Sequence, residues 1–157
     1  MTQAPRAQPA GKTEERRPQA AVGILCWRES EILLVRRGKP PRAGEWSLPG
    51  GRIEWGETAL DAAQRELKEE TGTIAKNYRH FETLDGIFRS RQSGEIWAHY
   101  LLVDFIAEYE SGAVLAGDDA AQARFFAWAE LDALDLWDET RRVLSKAREW
   151  IARQIIA

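Results

Sequence analysis

The chain has 157 residues, 44% of them hydrophobic and 30% charged, with a formal net charge of −3. Such a length and apolar content suit one domain around one core. They leave no bulk basic field for gripping a nucleic-acid duplex and no apolar run of the ~18–20 residues that a membrane-spanning helix needs. The charge is uneven: residues 1–20 carry four Lys/Arg against two Glu, so the rest of the chain is strongly acidic. An acidic body that handles an anionic ligand needs cations between the two, which points toward a divalent metal. Cys26 is the only cysteine. It has no intrachain disulfide partner, reads as a small buried hydrophobe, and fits a cytoplasmic location, as does the lack of a charged-then-apolar signal segment at the start.

Residues 1–20, rich in Ala, Pro, Gln and charge, are expected to form a disordered or loosely attached tail, with a single domain over 21–157. Residues 22–27 and 32–35 read as strands joined by a polar turn at 28–31. Gly and Pro make 38–44 a loop. Residues 46–48 are briefly extended, and Pro49, Gly50 and Gly51 then form a tight turn. From 58 to 71 the period becomes helical. Thr58 and Asp61 have the spacing of a capping pair, Leu60, Ala63 and Leu67 share a stripe, and Gly72 is a stop signal. Residues 81–88 read as extended, 90–94 as a turn, and 96–106 as the strongest strand, apolar on both faces and therefore central. A loop at 112–121, a late strand at 125–128 and an amphipathic helix from about 139 complete the chain. This order predicts an α/β fold, a mixed β-sheet covered by helices.

The chemistry concentrates between Gly51 and Thr73. Glu66, Glu69 and Glu70 are three and four residues apart, so their carboxylates share one helix face. That crowding destabilises an isolated helix by a few tenths of a kcal/mol per pair, and a hard divalent cation with oxygen ligands offsets it. A solvated acidic face is the plainer reading of three glutamates alone. The flanks favour the metal. Gly50 and Gly51 let backbone approach an ion closely and offer a carbonyl oxygen. Arg65 and Glu57 can brace the preceding loop against the helix.

This stretch resembles the Nudix box, G-x5-E-x7-R-E-U-x-E-E-x-G-U with U a bulky aliphatic. Gly51, Glu57, Arg65, Glu66, Leu67, Glu69, Glu70 and Gly72 match it. The last U position departs, holding Thr73, which bears on local packing more than on catalysis. Seven fixed letters at ordinary usage coincide at a given start in roughly one case in 10⁸, so the motif is specific although it covers a small part of the chain. The sequence on its N-terminal side, from Ala21 to Leu25, from Ile32 to Arg37 and from Trp46 to Gly51, is similar to the same family.

The resemblance implies a Nudix α/β/α sandwich and a Mg²⁺- or Mn²⁺-dependent hydrolase that cuts a diphosphate bond by attack of a metal-activated water. It implies Glu66 and Glu70 as main metal ligands, Glu69 as a third, the Gly51 carbonyl nearby, and Glu57 paired with Arg65 at the edge of the metal site. For the general base it leaves a box acid, Glu69, beside a downstream acid, Asp118 or Asp119, whose alternative role is turn chemistry. Among possible substrate contacts, Arg37 is either a phosphate grip or a solvated strand-end charge. Trp46, Trp55 and Trp97 either stack a base or pack in the core. His99, on one strand face with Trp97, Leu101 and Val103, either touches substrate or is a satisfied structural histidine.

The flanks look like those of the small bacterial ADP-ribose pyrophosphatase-like branch, which implies ADP-ribose or a related nucleotide or nucleotide-sugar substrate. The proline that some ADP-ribose enzymes carry shortly after the box is missing; that region reads Gly86, Ile87, Phe88, Arg89. The runner-up is a nucleoside triphosphate pyrophosphohydrolase of the housecleaning type. A non-catalytic nucleotide sensor is a third reading, disfavoured because every box acid is present and the length beyond the tail is that of one domain. A homodimer is compatible with the aromatic surplus.

Overall fold

In the computed structural model, residues 16–117 and 119–157 are described. They form a seven-stranded mixed sheet between two helices. Strand β1 (Gln19–Arg28) is its spine. It pairs antiparallel with β2 (Glu31–Arg37) and β4 (Gly50–Arg52) and parallel with β6 (Ile96–Ser111), in a register running from Gln19 opposite Tyr100 to Trp27 opposite Glu108. Strand β5 (Ile74–Arg89) pairs antiparallel with β6. Beyond β2 lie β3 (Trp46–Ser47) and β7 (Ala120–Ala127). Helices α1 (Ala59–Thr71) and α2 (Asp138–Ile156) cover the two faces, with a 3₁₀ turn at Trp128–Ala133 leading into α2.

Alternation along β1 divides the core. Val22, Ile24 and Cys26 pack with Ala62, Ala63 and Leu67 of α1. Leu25 on the other face joins Ile106, Phe126 and the buried side of α2, Val143, Leu144, Ala147 and Ile151. Cys26 is fully buried, as its reading as a small hydrophobe requires, and burial pushes its thiol up to about 12.

The α1 boundaries follow local chemistry. The Thr58 hydroxyl accepts from the Asp61 N–H at 3.1 Å, and Gly72 closes the helix in the left-handed region at φ 72°. The buried stripe is Ala62, Ala63, Leu67 and Thr71, whereas Leu60, expected on that stripe, is 40% exposed in the first turn of the helix.

Several extended segments depart from the periodic reading, each through pairing between distant parts of the chain. Gln19 and Ala20, assigned to the tail, already pair with β6; residues 1–15 lie outside the described part. Gly50 and Gly51 belong to β4 as well as to a turn. Strand β5 begins at Ile74, seven residues early, because a register shift between Lys76 and Arg79, with Asn77 at φ 55°, scrambles the alternation there. Strand β7 begins at Ala120, inside the expected loop, and Trp128 belongs to the 3₁₀ turn. Strand β6 does lie between two neighbours, but its first half is not buried on both faces: Trp97 and Leu101 are exposed.

Thr73, the departure from the box, is fully buried, and its hydroxyl lies 2.7 Å from that of Thr71, which donates to the Leu67 carbonyl at 2.6 Å. A polar pair thus replaces an aliphatic contact with its hydrogen bonds satisfied. Thr71→Val leaves the Thr73 hydroxyl without that partner and should cost about 1–3 kcal/mol, most of which returns in the Thr71→Val/Thr73→Val double variant. Urea unfolding of the three proteins checks this; equal losses in single and double variants would contradict the pairing.

Candidate functional site

A cleft of about 580 Å³ opens between the β2–β4 segment, the start of α2 and the β5–β6 pair. One end holds box residues: Gly51, Glu66 and Glu70 line it, with Arg37, Trp46 and Asp119. Phe88, Tyr100, Leu102, Asp104 and Trp137 line the cleft as well.

Arg65 organises the box end. Its Nε and one terminal nitrogen donate to the two carboxylate oxygens of Glu57 at 2.7 and 2.9 Å. The other terminal nitrogen donates to Glu66 at 2.9 Å and Glu69 at 3.0 Å, and the Arg52 carbonyl accepts a further bond at 3.1 Å. The bidentate grip on Glu57 ties the loop before α1 to the helix. It holds the Glu57 carboxyl at about 2, through the Arg65 bonds first and the Glu54 N–H second. Arg65 in turn retains its proton more firmly, above all through Glu57.

Glu70 is held differently. Its Oε2 accepts from the Gly50 N–H at 3.0 Å, which fixes the helix against β4. Burial pushes its carboxyl up to about 7, against the lowering effect of the Gly50 bond; Glu66 and Asp119 add to the rise and Arg37 opposes it. Gly51 is required by space. A Cβ there would lie 2.3 Å from the Glu66 Oε1, so the strand passes the carboxylate with only backbone between them.

The box acids therefore do not stand as one row. Glu66 and Glu70 face the cleft, while Glu69 is partly exposed and turned to Arg65. Among the described residues no three acid, His or Cys side chains converge on a single point. The donor set nevertheless suits a hard divalent cation: two carboxylates and a backbone carbonyl at a cleft end, beside a strand stripped of its Cβ.

The remaining residues singled out from sequence divide clearly. Arg37 lines the cleft, its Nε donating to the Pro41 carbonyl at 2.5 Å. Trp46 lines it too, while packing edge-on against Phe126 with ring centroids 4.7 Å apart, so it is both wall and core. Asp119 lines it and pairs with Lys39 at 2.5 Å; Asp118 lies outside the described residues. His99 is elsewhere: strand alternation turns it from the face of Tyr100, Leu102 and Asp104, and its Nε2 lies 3.3 Å from Asp85. Trp55 is fully exposed, and Trp97 rests on Phe88, 5.8 Å between centroids, outside the cleft lining. The lining residues that sequence reasoning misses are Phe88, Tyr100, Asp104 and Trp137. Their one local signal was Gly23, an isolated glycine inside a strand.

A NUDIX domain model matches residues 17–147. The chain belongs to the NUDIX family. It is 38% identical over 109 residues to an ADP-ribose pyrophosphatase of Methanocaldococcus jannaschii, an alignment covering 69% of this chain and 62% of that one. It is 40% identical over 74 residues to the 8-oxo-dGTP diphosphatase of Escherichia coli, covering 46% and 57%. The chain thus spans less than two thirds of the length of these relatives. A MutT NUDIX hydrolase from Burkholderia pseudomallei superposes with a TM-score of 0.70 at 28% identity, covering 83% of this chain and 98% of that one. The NUDIX domain of Shewanella oneidensis NrtR, solved with ADP ribose, gives 0.72 at 19% identity over 93% and 94%, a likeness of fold. The α/β/α sandwich expected from the box is the fold these structures share.

The raised Glu70 carboxyl sets a pH dependence. A folded protein that holds a proton longer than its unfolded chain loses stability as pH rises between the two titrations. In metal-free protein, Glu70→Gln should therefore gain on wild type as pH rises from about 4.5 to 7.5, by about 1–3 kcal/mol at the upper end. Glu57 titrates below this window and does not blur it. Thermal unfolding of both proteins across the range reads the difference; a constant offset would contradict the assignment.

Proposed function

We propose that this protein is a metal-dependent hydrolase that cleaves the diphosphate of a nucleoside diphosphate linked to a second moiety, with ADP-ribose the leading candidate. The observation that carries the reading is the meeting of Glu66, Glu70 and Gly51 at one end of a cleft large enough for a small nucleotide, with Arg37 beside them. The name of the archaeal relative supports the substrate class.

In this reading Glu66, Glu70 and the Gly51 carbonyl hold Mg²⁺ or Mn²⁺, with Glu69 as a further ligand and Glu57 at the edge. Bound there, a divalent ion neutralises diphosphate oxygens and lowers the pKa of water. The protein's own part is positioning and electrostatics. Arg65 keeps the carboxylates of Glu57, Glu66 and Glu69 in register. Arg37 faces the same cleft end as Glu70 and grips phosphate oxygen. Trp46 supplies a rigid wall. The proton is taken by a carboxylate, and the candidates are Glu69, beside the box acids on α1, and Asp119, which lines the cleft. His99, turned to the other face of β6 and absent from the cleft lining, is a structural partner of Asp85.

Similarity to the Escherichia coli diphosphatase favours a second reading, a nucleoside triphosphate pyrophosphohydrolase. Both readings take a small nucleotide and neither needs a duplex. No described helix is long and apolar enough to cross a membrane; a cytoplasmic location is supported by the single buried thiol. The exposed Trp97 and Leu101 on β6 are compatible with a homodimer.

A hydrolysis screen over ADP-ribose, sugar nucleotides, dinucleoside polyphosphates and nucleoside triphosphates, with Mg²⁺ and Mn²⁺, separates these readings. ADP-ribose should give AMP and ribose 5-phosphate only with the metal present. Glu70→Gln should lower turnover by about two orders of magnitude or more while the protein stays folded. Wild-type turnover by Glu70→Gln would overturn the ligand role. Tight binding without turnover across the panel would favour a sensor.

A further inference from the structure

In the cleft wall, Asp104 is a buried acid with no hydrogen-bond partner among the described residues. It is 4% exposed, at the middle of β6, and it lines the cleft. No hydrogen-bond donor among the described residues meets its carboxyl. No fully enclosed polar side-chain atom among those residues lacks a partner, so the Asp104 oxygens that have none must reach the open cleft. Burying an acid this way is costly unless something binds it.

The sheet is built around it. Gly23, opposite Asp104 in the parallel pair, would place a Cβ 2.4 Å from the Asp104 Oδ1, so β1 omits a side chain where β6 needs room for the carboxyl. Glu82, opposite on β5, is held away by Arg142 at 2.9 Å and Lys146 at 3.2 Å. Arg142, the cation that acts on Asp104 through space, is therefore already committed to Glu82 and Glu139, and Asp104 keeps its hydrogen-bonding capacity for a visitor.

The neighbours on the same face indicate the visitor's shape. Tyr100 and Leu102 precede Asp104 at the two-residue strand period, so all three point into the cleft. Phe88 stands against Trp137 at 5.2 Å between centroids, tilted 38°, and against Tyr100 at 6.3 Å. An aromatic wall receives a flat ring by stacking. A carboxyl set beside such a wall accepts from ring N–H and amino groups, as acids do when they read base edges. We propose that Asp104 is a specificity-determining residue that accepts hydrogen bonds from the amino-bearing edge of a nucleobase, stacked at the Phe88–Trp137 wall of the cleft that Glu66 and Glu70 also line. This rests on the nucleotide-hydrolase reading above, and it assigns which half of the substrate occupies the aromatic wall.

The test is metal-free binding to the full-length protein, which needs no turnover. Calorimetric titrations use AMP, GMP, UMP and ribose 5-phosphate against wild type, Asp104→Leu and Asp104→Asn. Wild type should bind AMP or GMP more tightly than UMP and ribose 5-phosphate. Asp104→Leu should weaken the purine nucleotide by about tenfold or more while ribose 5-phosphate is unaffected. Its thermal midpoint should rise, because an unpartnered buried acid has been removed; an acid kept for structure would give a fall. Asp104→Asn, closest in shape, supplies the comparison if the leucine variant does not fold, and should likewise weaken purine binding. With a hydrolysed nucleotide the loss should appear in KM rather than in kcat. Unchanged purine binding in both variants would overturn the assignment, as would equal losses for ribose 5-phosphate or no purine nucleotide binding by wild type. A failure of hydrolysis with normal purine binding would instead count against the hydrolase reading and leave this one standing.

Discussion

Glu57, Glu66 and Glu69 bond a single guanidinium, with Glu54 at 3.9 Å from it and Glu70 on the same helix, and the box side of the cleft depends on how that charge is arranged. Glu66, Glu69 and Glu70 repel one another along α1. Arg65 relieves part of this by bonding Glu66 and Glu69 while its fork grips Glu57 across the loop. Glu70, outside the reach of Arg65, is held by the Gly50 N–H and by burial. The two arrangements leave Glu66 and Glu70 facing the same space from one helix, with β4 passing so closely that only glycine fits at position 51. Charge-assisted bonds of this kind are stronger than neutral ones, and their fork geometry adds direction as well as energy.

The sheet gives that helix turn something to face. The parallel pairing of β1 with β6 carries the strands across the floor of the cleft. Gly50 pairs with Gly23 and Gly51 with Val22, so the glycines beside the acids are fixed to the same strand whose Gly23 makes room for Asp104. One strand thereby ties the box glycines to the place of Asp104. Its opposite faces are anchored by separate apolar clusters, one under each helix. A shift of β1 by one residue would reverse both faces and separate the glycines from the acids they accommodate.

Much of this was legible from local sequence. The cap at Thr58, the stop at Gly72 and the buried Ala63 and Leu67 follow from local capping chemistry and helical period, and the box spacing alone points to the acids. What escaped the reading depends on partners far away in the chain. The β4 glycines read as a turn because their strand character comes from pairing with β1. The start of β5 is polar and bulged, so its alternation is broken where the strand begins. Asp104 sits in an apolar run, and its exposure to a cleft arises from a glycine on another strand and from the way α2 leaves an aromatic wall open. His99 was singled out as a residue type with useful chemistry, whereas the pleat of β6 turns it to the other face. The separation of Glu69 from Glu66 and Glu70 also needed side-chain partners, since helical spacing alone puts all three on one side.

The central claim is that Glu66 and Glu70, with the Gly51 backbone, gather divalent cations at the cleft end. Mn²⁺ titration of the full-length protein followed by electron paramagnetic resonance tests it without any assumption about substrate. Wild type should take up Mn²⁺ in competition with Mg²⁺, and Glu66→Gln and Glu70→Gln should each weaken that uptake by about tenfold or more, with Glu69→Gln less affected. Equal Mn²⁺ binding by wild type and both variants, or none by wild type at neutral pH, would contradict the account.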